Sequence, residues 1–245
     1  MVTKNEIKFI KSLRDKSVRN KFNLFVVEGE KSINEFLNSN YKVYKIYSTH
    51  PANISYNDVI QISDKQLIQI SSLKTPNKHI AIFNKTKFPV KNQKNYFVLD
   101  SVNDPGNLGT MIRTLDWFGY DQLICSKNSV DCYNTKVVQS TMGSLSRVNV
   151  HYIDLYDFIS SSNLPVYGAS ISGKSILEFS EKKDSGIWIF GSESNGISDD
   201  LSKLIDQYYC IPKGNNRVRT ESLNLSTSFS IILSFYIYGN YEINK

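Results

Sequence analysis

The sequence predicts an α/β protein in two parts, a small N-terminal α/β domain followed by a larger domain built on a mostly parallel sheet. Three observations predict it. Short apolar runs recur along the 245 residues and alternate with stretches whose apolar residues keep helical spacing. One stretch, KTKFPVKNQKN at 85–95, breaks the alternation with a proline, several lysines and no apolar period, as a linker does. A hydrophobic content of 40%, with 12% aromatic residues, supplies the buried surface that offsets the ordering entropy of a folded chain.

In order, Ile7, Ile10 and Leu13 lie at helical spacing, Leu24 to Val27 reads as a strand, and Ile33, Phe36 and Leu37 share a second helical face. Tyr41 to Tyr47 and His79 to Phe83 read as strands, with a helix from Asp64 to Ile70 between them. This gives a domain over 1–90. From 95 to 245 six apolar runs follow: YFVL at 96, QLIC at 122, VNVHYI at 148, PVYGASI at 165, IWIF at 187 and YYCI at 208. Each precedes a polar or helical stretch, the signature of βαβ units with helices on both sheet faces. The segment from Ser222 to about Tyr238 puts Leu225, Phe229, Ile232, Leu233 and Tyr236 on one face of a final core-packed helix.

Composition removes several function classes. Lys and Arg number 29 against 23 Asp and Glu, a net charge of +6 that suits a polyanionic partner and equally an ordinary soluble protein. Cys125, Cys132 and Cys210 are scattered, without zinc-site spacing or the density of a disulfide scaffold, and read as free thiols of a cytoplasmic protein. His50, His79 and His151 are equally dispersed, so no metal site is expected. The N-terminus is too charged for a signal peptide, and the most apolar run, Phe229 to Tyr238, is too short to span a bilayer.

Three loops, each after an apolar strand, carry candidate chemistry. In the first, DSVNDPGNLGTMIR at 100–113, Pro105, Gly106 and Gly109 permit a tight turn into a helix whose free N–H groups form an anion site. Asn107 and Arg113 then face one small volume, although a helix cap with an exposed arginine explains the same residues. The second, FGSESNGI at 190–197, pairs Gly191 and Gly196, which leave room for a ligand on the backbone, with the carboxylate of Glu193. The third, IPKGNNRVRTESLN at 211–224, places Glu221 and Ser222 where a cap of the last helix would stand. A dinucleotide-binding oxidoreductase is excluded, because the GxGxxG fingerprint is absent.

In this order these loops resemble the SpoU (TrmH) family of RNA 2′-O-ribose methyltransferases in the SPOUT superfamily. The matching pieces are NDPGNLGTMIRTLDWFG at 103–119, KVVQSTMGS at 136–144, IFGSESNGIS at 189–198, and IP followed by ESLNLS at 211–226. Residues 19–37, RNKFNLFVVEGEKSINEFL, look like the family's N-terminal substrate-binding domain, similar in fold to a small RNA-binding ribosomal protein. The resemblance implies a SPOUT catalytic domain whose C-terminal segment threads a deep trefoil knot, a homodimer formed through that domain, and S-adenosylmethionine (AdoMet) as cofactor. It assigns Asn107, Arg113, Glu193, Ser222 and Asn224 to the catalytic set, and Gly191, Gly196, Ile211 and Leu223 to the cofactor.

The implied reaction is an in-line attack of a ribose 2′-hydroxyl on a sulfonium methyl carbon, which demands alignment and loss of a proton. Arg113, always protonated, suits stabilisation of a developing alkoxide and a grip on the adjacent phosphate. No metal is required. Gln139 stands where the family frequently has arginine, and Lys213, Arg217 and Arg219 make the third loop basic, either for RNA contact or as a solvated loop. Arg19, Lys21 and Lys31 are candidate phosphate contacts or ordinary surface charge. Ribosomal RNA is the expected substrate; the alternatives are a transfer-RNA 2′-O-methyltransferase and a non-catalytic RNA-binding module that keeps the knotted fold.

Overall fold

The computed structural model describes residues 2–54, 56–179, 185–214 and 219–238. The first elements are α1 (Lys4–Ser12), α2 (Lys16–Phe22), β1 (Leu24–Glu28), α3 (Glu30–Leu37), β2 (Val43–Ser48), β3 (Val59–Gln61), α4 (Asp64–Ile70) and β4 (His79–Asn84). Then come β5 (Asn95–Leu99), α5 (Pro105–Trp117), β6 (Gln122–Ser126), α6 (Thr135–Ser140), β7 (Asn149–Ile153), α7 (Leu155–Ser160) and β8 (Val166–Ser175). The last are β9 (Gly186–Phe190), α8 (Asp199–Ser202), β10 (Gln207–Cys210) and α9 (Leu225–Tyr238). Two compact units result: Met1–Pro89 with Asp131–Asn149, and Val90–Val130 with Val150–Lys245.

The first unit holds a four-stranded sheet in the order β1-β4-β2-β3. Alternation along β1 sends Leu24 and Val26 into an aliphatic core with Ile10, Leu13, Ile70, Ile80 and Ile82. Phe25 points the other way, into an aromatic cluster with Phe36, Tyr41 and Tyr133 at ring distances of 5.4, 5.6 and 4.6 Å. The capping boxes Thr3/Glu6 and Ser63/Gln66 start α1 and α4. Helix α2, which apolar spacing does not signal, is defined by its ends: Asp15 caps it and Asn23 stops it in the left-handed region at φ 55°.

By packing, α6 and its flanks join the elements before Pro89 in the first unit. Tyr133 donates its hydroxyl to Thr86 O at 3.0 Å, and Arg147 bonds Glu35. Gly143, the glycine of KVVQSTMGS, has φ +100°, and a Cβ there would come within 2.7 Å of Glu35 Cγ. Close packing inside this unit therefore explains the motif's glycine.

In the second unit six strands lie in the order β10-β8-β9-β5-β6-β7, and the pairs β10/β8, β8/β9, β9/β5 and β5/β6 are parallel. All six apolar runs expected after residue 95 contain strands; β8 continues to Ser175, past the expected end at 171. One sheet face buries Tyr96, Val98, Ile124, Ile187 and Ile189 with Leu155 and Ile159 of α7. The other carries aromatic rings against α9: Phe190 and Phe97 lie 4.7 and 6.0 Å from Phe229, and Trp188 lies 5.5 Å from Tyr236. Phe229, Ile232, Leu233 and Tyr236 are the buried face expected of α9, while Leu225 is only partly buried.

Candidate active site

The central strands β5 and β9 pair in register as far as Leu99 and Phe190, so the first two loops leave the sheet side by side. The first enters α5 through an ordered cap: Asp104 accepts from the Asn107 N–H at 2.7 Å, and Pro105 occupies the first helical turn, where its missing N–H costs nothing. Asn107 is thus fixed at the start of α5, with its side chain mostly buried.

The second loop folds back on itself. Ser192 and Gly196 exchange two backbone hydrogen bonds of 3.0 Å, and Ser192 Oγ accepts from the Asn195 N–H at 3.1 Å. A Cβ on Gly191 would lie 2.0 Å from the Gly196 carbonyl carbon, so glycine here serves loop closure, a correction to the room for a ligand expected of it. Gly196 has φ +67°, and no atom lies within 4 Å of where its Cβ would stand, so its requirement is conformational and the space beside it is open.

The third loop delivers Asn224 to the start of α9. Its Oδ1 accepts from the Thr227 N–H at 3.2 Å and from Ser226 Oγ at 2.7 Å, so Asn224 caps the helix in place of the expected Glu221 and Ser222. The helix begins at Leu225, which leaves Ser222 three residues outside it.

The three loops meet in one chain of side chains. Asn107 Nδ2 donates to Glu193 Oε1 at 2.5 Å, and Asn224 Nδ2 donates to Asn107 Oδ1 at 2.9 Å. The Asn107 amide is oriented from both sides, and the cap of α9 extends the order to Thr227. Arg113 and Ser222 are exposed and stand outside this chain of bonds among the described residues. Ile211 is half-buried, and Leu223 is 48% exposed, a large apolar side chain left beside the polar chain's third loop. Sequence reasoning did not single out Asp100, which is 5% exposed at the end of β5 and accepts from the Ser198 N–H at 2.8 Å. A carboxylate directly after an apolar strand is its one sequence signal.

Of the expected RNA contacts, Arg19 is corrected outright. It is 2% exposed, its Nε and Nη2 bond Asp131 Oδ2 at 3.1 and 2.7 Å, and its Nη1 donates to the carbonyls of Leu13 and Arg14. A guanidinium so occupied has no edge for a phosphate. Lys21 and Lys31 are exposed, Lys21 over the Phe22 ring at 5.5 Å; Arg219 is exposed, and Arg217 lies outside the described residues. Gln139 is exposed on α6. The first unit holds 17 of the 29 basic and 8 of the 23 acidic residues, so the excess positive charge of the chain resides there. Among the described residues no group of His, Cys, Asp or Glu could hold a metal ion.

The arrangement has counterparts among known proteins. A model of the SpoU rRNA Methylase family matches residues 94–234, and one of the MRM3-like substrate binding domain matches residues 4–81. The 23S rRNA (guanosine(2553)-2′-O)-methyltransferase of Bacillus subtilis is 27% identical over 236 residues, 93% of this chain and 94% of its own. A TrmH-family protein from Porphyromonas gingivalis superposes with a TM-score of 0.86 at 31% identity, over 96% of this chain and 97% of its own. An rRNA methyltransferase from Sinorhizobium meliloti, solved with AdoMet bound, gives a TM-score of 0.85 at 25% identity, over 98% and 97%. Since the family match spans more than half of the sequence and contains all three loops that converge on Asn107, the chain belongs to the SpoU rRNA Methylase family.

Proposed function

We propose that the chain transfers the methyl group of AdoMet to a ribose 2′-hydroxyl of ribosomal RNA. The observation that carries this reading is the Glu193–Asn107–Asn224 chain, which joins side chains 86 and 117 positions apart, from the loops that follow the central strands β5 and β9 and the edge strand β10. A binding module has no physical need to orient one amide from two sides. Ribosomal RNA is preferred to transfer RNA because the Bacillus subtilis relative, matched along nearly its whole length, is a 23S rRNA enzyme.

Gly191, Gly196, Ile211 and Leu223 would hold AdoMet; the open space beside Gly196 and the exposed Leu223 side chain fit a ligand that is part apolar. When bound, it supplies an electrophilic methyl carbon with its leaving group built in, so no metal is needed. Asn107, held by Glu193 and Asn224, presents a fixed amide to the incoming ribose. Arg113 stabilises the developing alkoxide and grips the neighbouring phosphate, while Ser222 adds a hydroxyl on the third loop. Lys21 and Lys31 supply phosphate contacts, supported by the positive excess of the first unit, and Arg219 adds one from the exposed third loop.

Two further features of the family come with the reading. The trefoil knot is supported by the strand order: the chain crosses from β7 at one edge to β8, returns to β9 between β8 and β5, and leaves for β10 at the other edge. A homodimer through the second unit is supported by apolar side chains left exposed on α5 and α9. A cytoplasmic location is the expected one for an enzyme with a ribosomal-RNA substrate; no described helix is long and apolar enough to cross a membrane.

The test is a map of ribose methylation in total RNA with and without the protein. Loss of one 2′-O-methyl group in ribosomal RNA is expected; loss confined to transfer RNA would shift the substrate, and an unchanged map would overturn the reading.

A further inference from the structure

Where β5 and β9 end, their pairing is continued by a side chain. Asp100 donates its backbone N–H to Phe190 O at 2.9 Å, and its carboxylate crosses to the far limb of the second loop, where Oδ2 accepts from the Ser198 N–H at 2.8 Å. Its Oδ1 accepts from Ser101 Oγ at 3.0 Å. Asp100 is 5% exposed, and its partners among the described residues are these neutral donors. A carboxylate buried without a cation is costly to hold.

What it holds is a small closed body whose other tie to the first loop lies at its tip. Gly191 to Ile197 is tied within itself by the Ser192–Gly196 bonds, and Ser198, just before α8, makes no cap bond with its own side chain. The first loop is anchored separately. Ser101 sits at φ 59°, with its N–H on Ser126 Oγ at 2.8 Å and its hydroxyl receiving Asn128 Nδ2 at 2.9 Å. Two points therefore fix the second loop against the first: the buried Asp100–Ser198 bond at its base and the Asn107–Glu193 bond at its tip.

We infer that Asp100 is a positioning residue for methyl transfer: by holding the Ser198 N–H it sets the tilt of the Gly191–Ile197 loop and so the place where Glu193 meets Asn107. This rests on the methyltransferase reading above. Asp100→Asn keeps an acceptor oxygen for Ser198, whereas Asp100→Ala removes it. The full chain is assayed with deproteinised ribosomal RNA and tritiated AdoMet, well below each variant's melting point, and amide hydrogen exchange is followed in the free protein.

In Asp100→Ala, the Ser198 amide should exchange at least about tenfold faster while the Ser192 and Gly196 amides stay protected. Its kcat should fall about 100-fold, the scale of a small misplacement at a reacting centre, with the KM for RNA within about threefold. Asp100→Asn should recover most of both losses. A lowered melting point with wild-type kcat in Asp100→Ala, or an asparagine variant no better than alanine, would overturn the assignment. Should the wild-type chain transfer no methyl group, the functional reading fails and the exchange arm decides alone: an unchanged Ser198 rate removes the positioning role.

Discussion

Arg19 and Asp131 form an ion pair of 2.7 Å with side chains 2% and 9% exposed, although 112 positions separate them. It ties the returning segment that bears α6 to the N-terminal helices of the same unit. Removing one partner leaves the other charge buried, so Arg19→Ala or Asp131→Ala should each cost about 3 to 5 kcal/mol in denaturant melts. Replacing both with Met and Leu should recover much of that loss. A cost below about 1 kcal/mol for either single variant would show that the pair is dispensable.

Gly191 and Gly196 should separate by substitution, since one is required for contact and the other for conformation. Gly191→Ala drives a methyl into the Gly196 backbone, a contact of 2.0 Å that no rotamer relieves. At Gly196, φ +67° is strained for branched residues but accessible to asparagine. Calorimetry should show AdoMet binding weakened less by Gly196→Asn than by Gly196→Val or Gly191→Ala. Equal loss in Asn and Val variants would mean that side-chain volume decides.

Every strand but the three-residue β3 was legible, and so were the three loops, because Gly191 and Pro212 follow their apolar runs directly and Pro105 and Gly106 punctuate the first loop six residues after Leu99. Their convergence was not legible from spacing. Asn107, Glu193 and Asn224 lie on separate helices and turns, and only the family resemblance placed them together. Arg19 reads as surface charge in a lysine-rich stretch, because a sequence does not show that a carboxylate more than 100 positions away will neutralise it. Helix α6 belongs to the first unit although its motif lies inside the 94–234 family match, since packing follows the apolar side chains Val137 and Val138 and not chain order.

His79 should make the protein less stable in mild acid. It is fully buried, Nδ1 lies 2.8 Å from Ser48 Oγ, and burial pushes its pKa below the usual 6.5, with Glu30 at 3.6 Å opposing and His50 and Lys78 reinforcing the shift. The unfolded chain therefore binds the proton first, so stability is complete above about pH 6.5 and is lost as the pH falls below it. Buried His151 shifts the same way, with Asp121 opposing. Urea melts at about pH 7.5 and 5.5 should show a smaller difference for His79→Gln than for wild type. Identical differences would assign the acid sensitivity elsewhere.

Trp117 is 85% exposed on α5, and Phe235 and Tyr238 of the adjacent α9 are 36% and 51% exposed. Large apolar side chains clustered on packed helices mark an interaction surface. Trp117→Glu should therefore convert the proposed dimer to a monomer in sedimentation, while Trp117→Phe should not. A wild-type chain that sediments as a monomer at micromolar concentration would remove the dimer.

Asn107→Asp tests the central contact with almost no change of shape. The new carboxylate keeps an acceptor for Asn224 Nδ2 but loses the donor that reaches Glu193 Oε1 at 2.5 Å, and it sets two acids against each other. At neutral pH like charges at this distance cannot both be held there, so the loops part or one acid takes a proton. Protonation restores an O–H donor between the same two oxygens, and the titration belongs to the pair and not to either residue. At about pH 8 the variant should turn over about 100-fold more slowly than wild type, the scale of a misplaced reacting group, and should regain part of that loss as the pH is lowered toward about 6. Single-turnover methylation across this range is the measurement. A variant whose rate follows the wild-type pH profile at a constant fraction would mean that the Asn107–Glu193 bond does not set the geometry of the site.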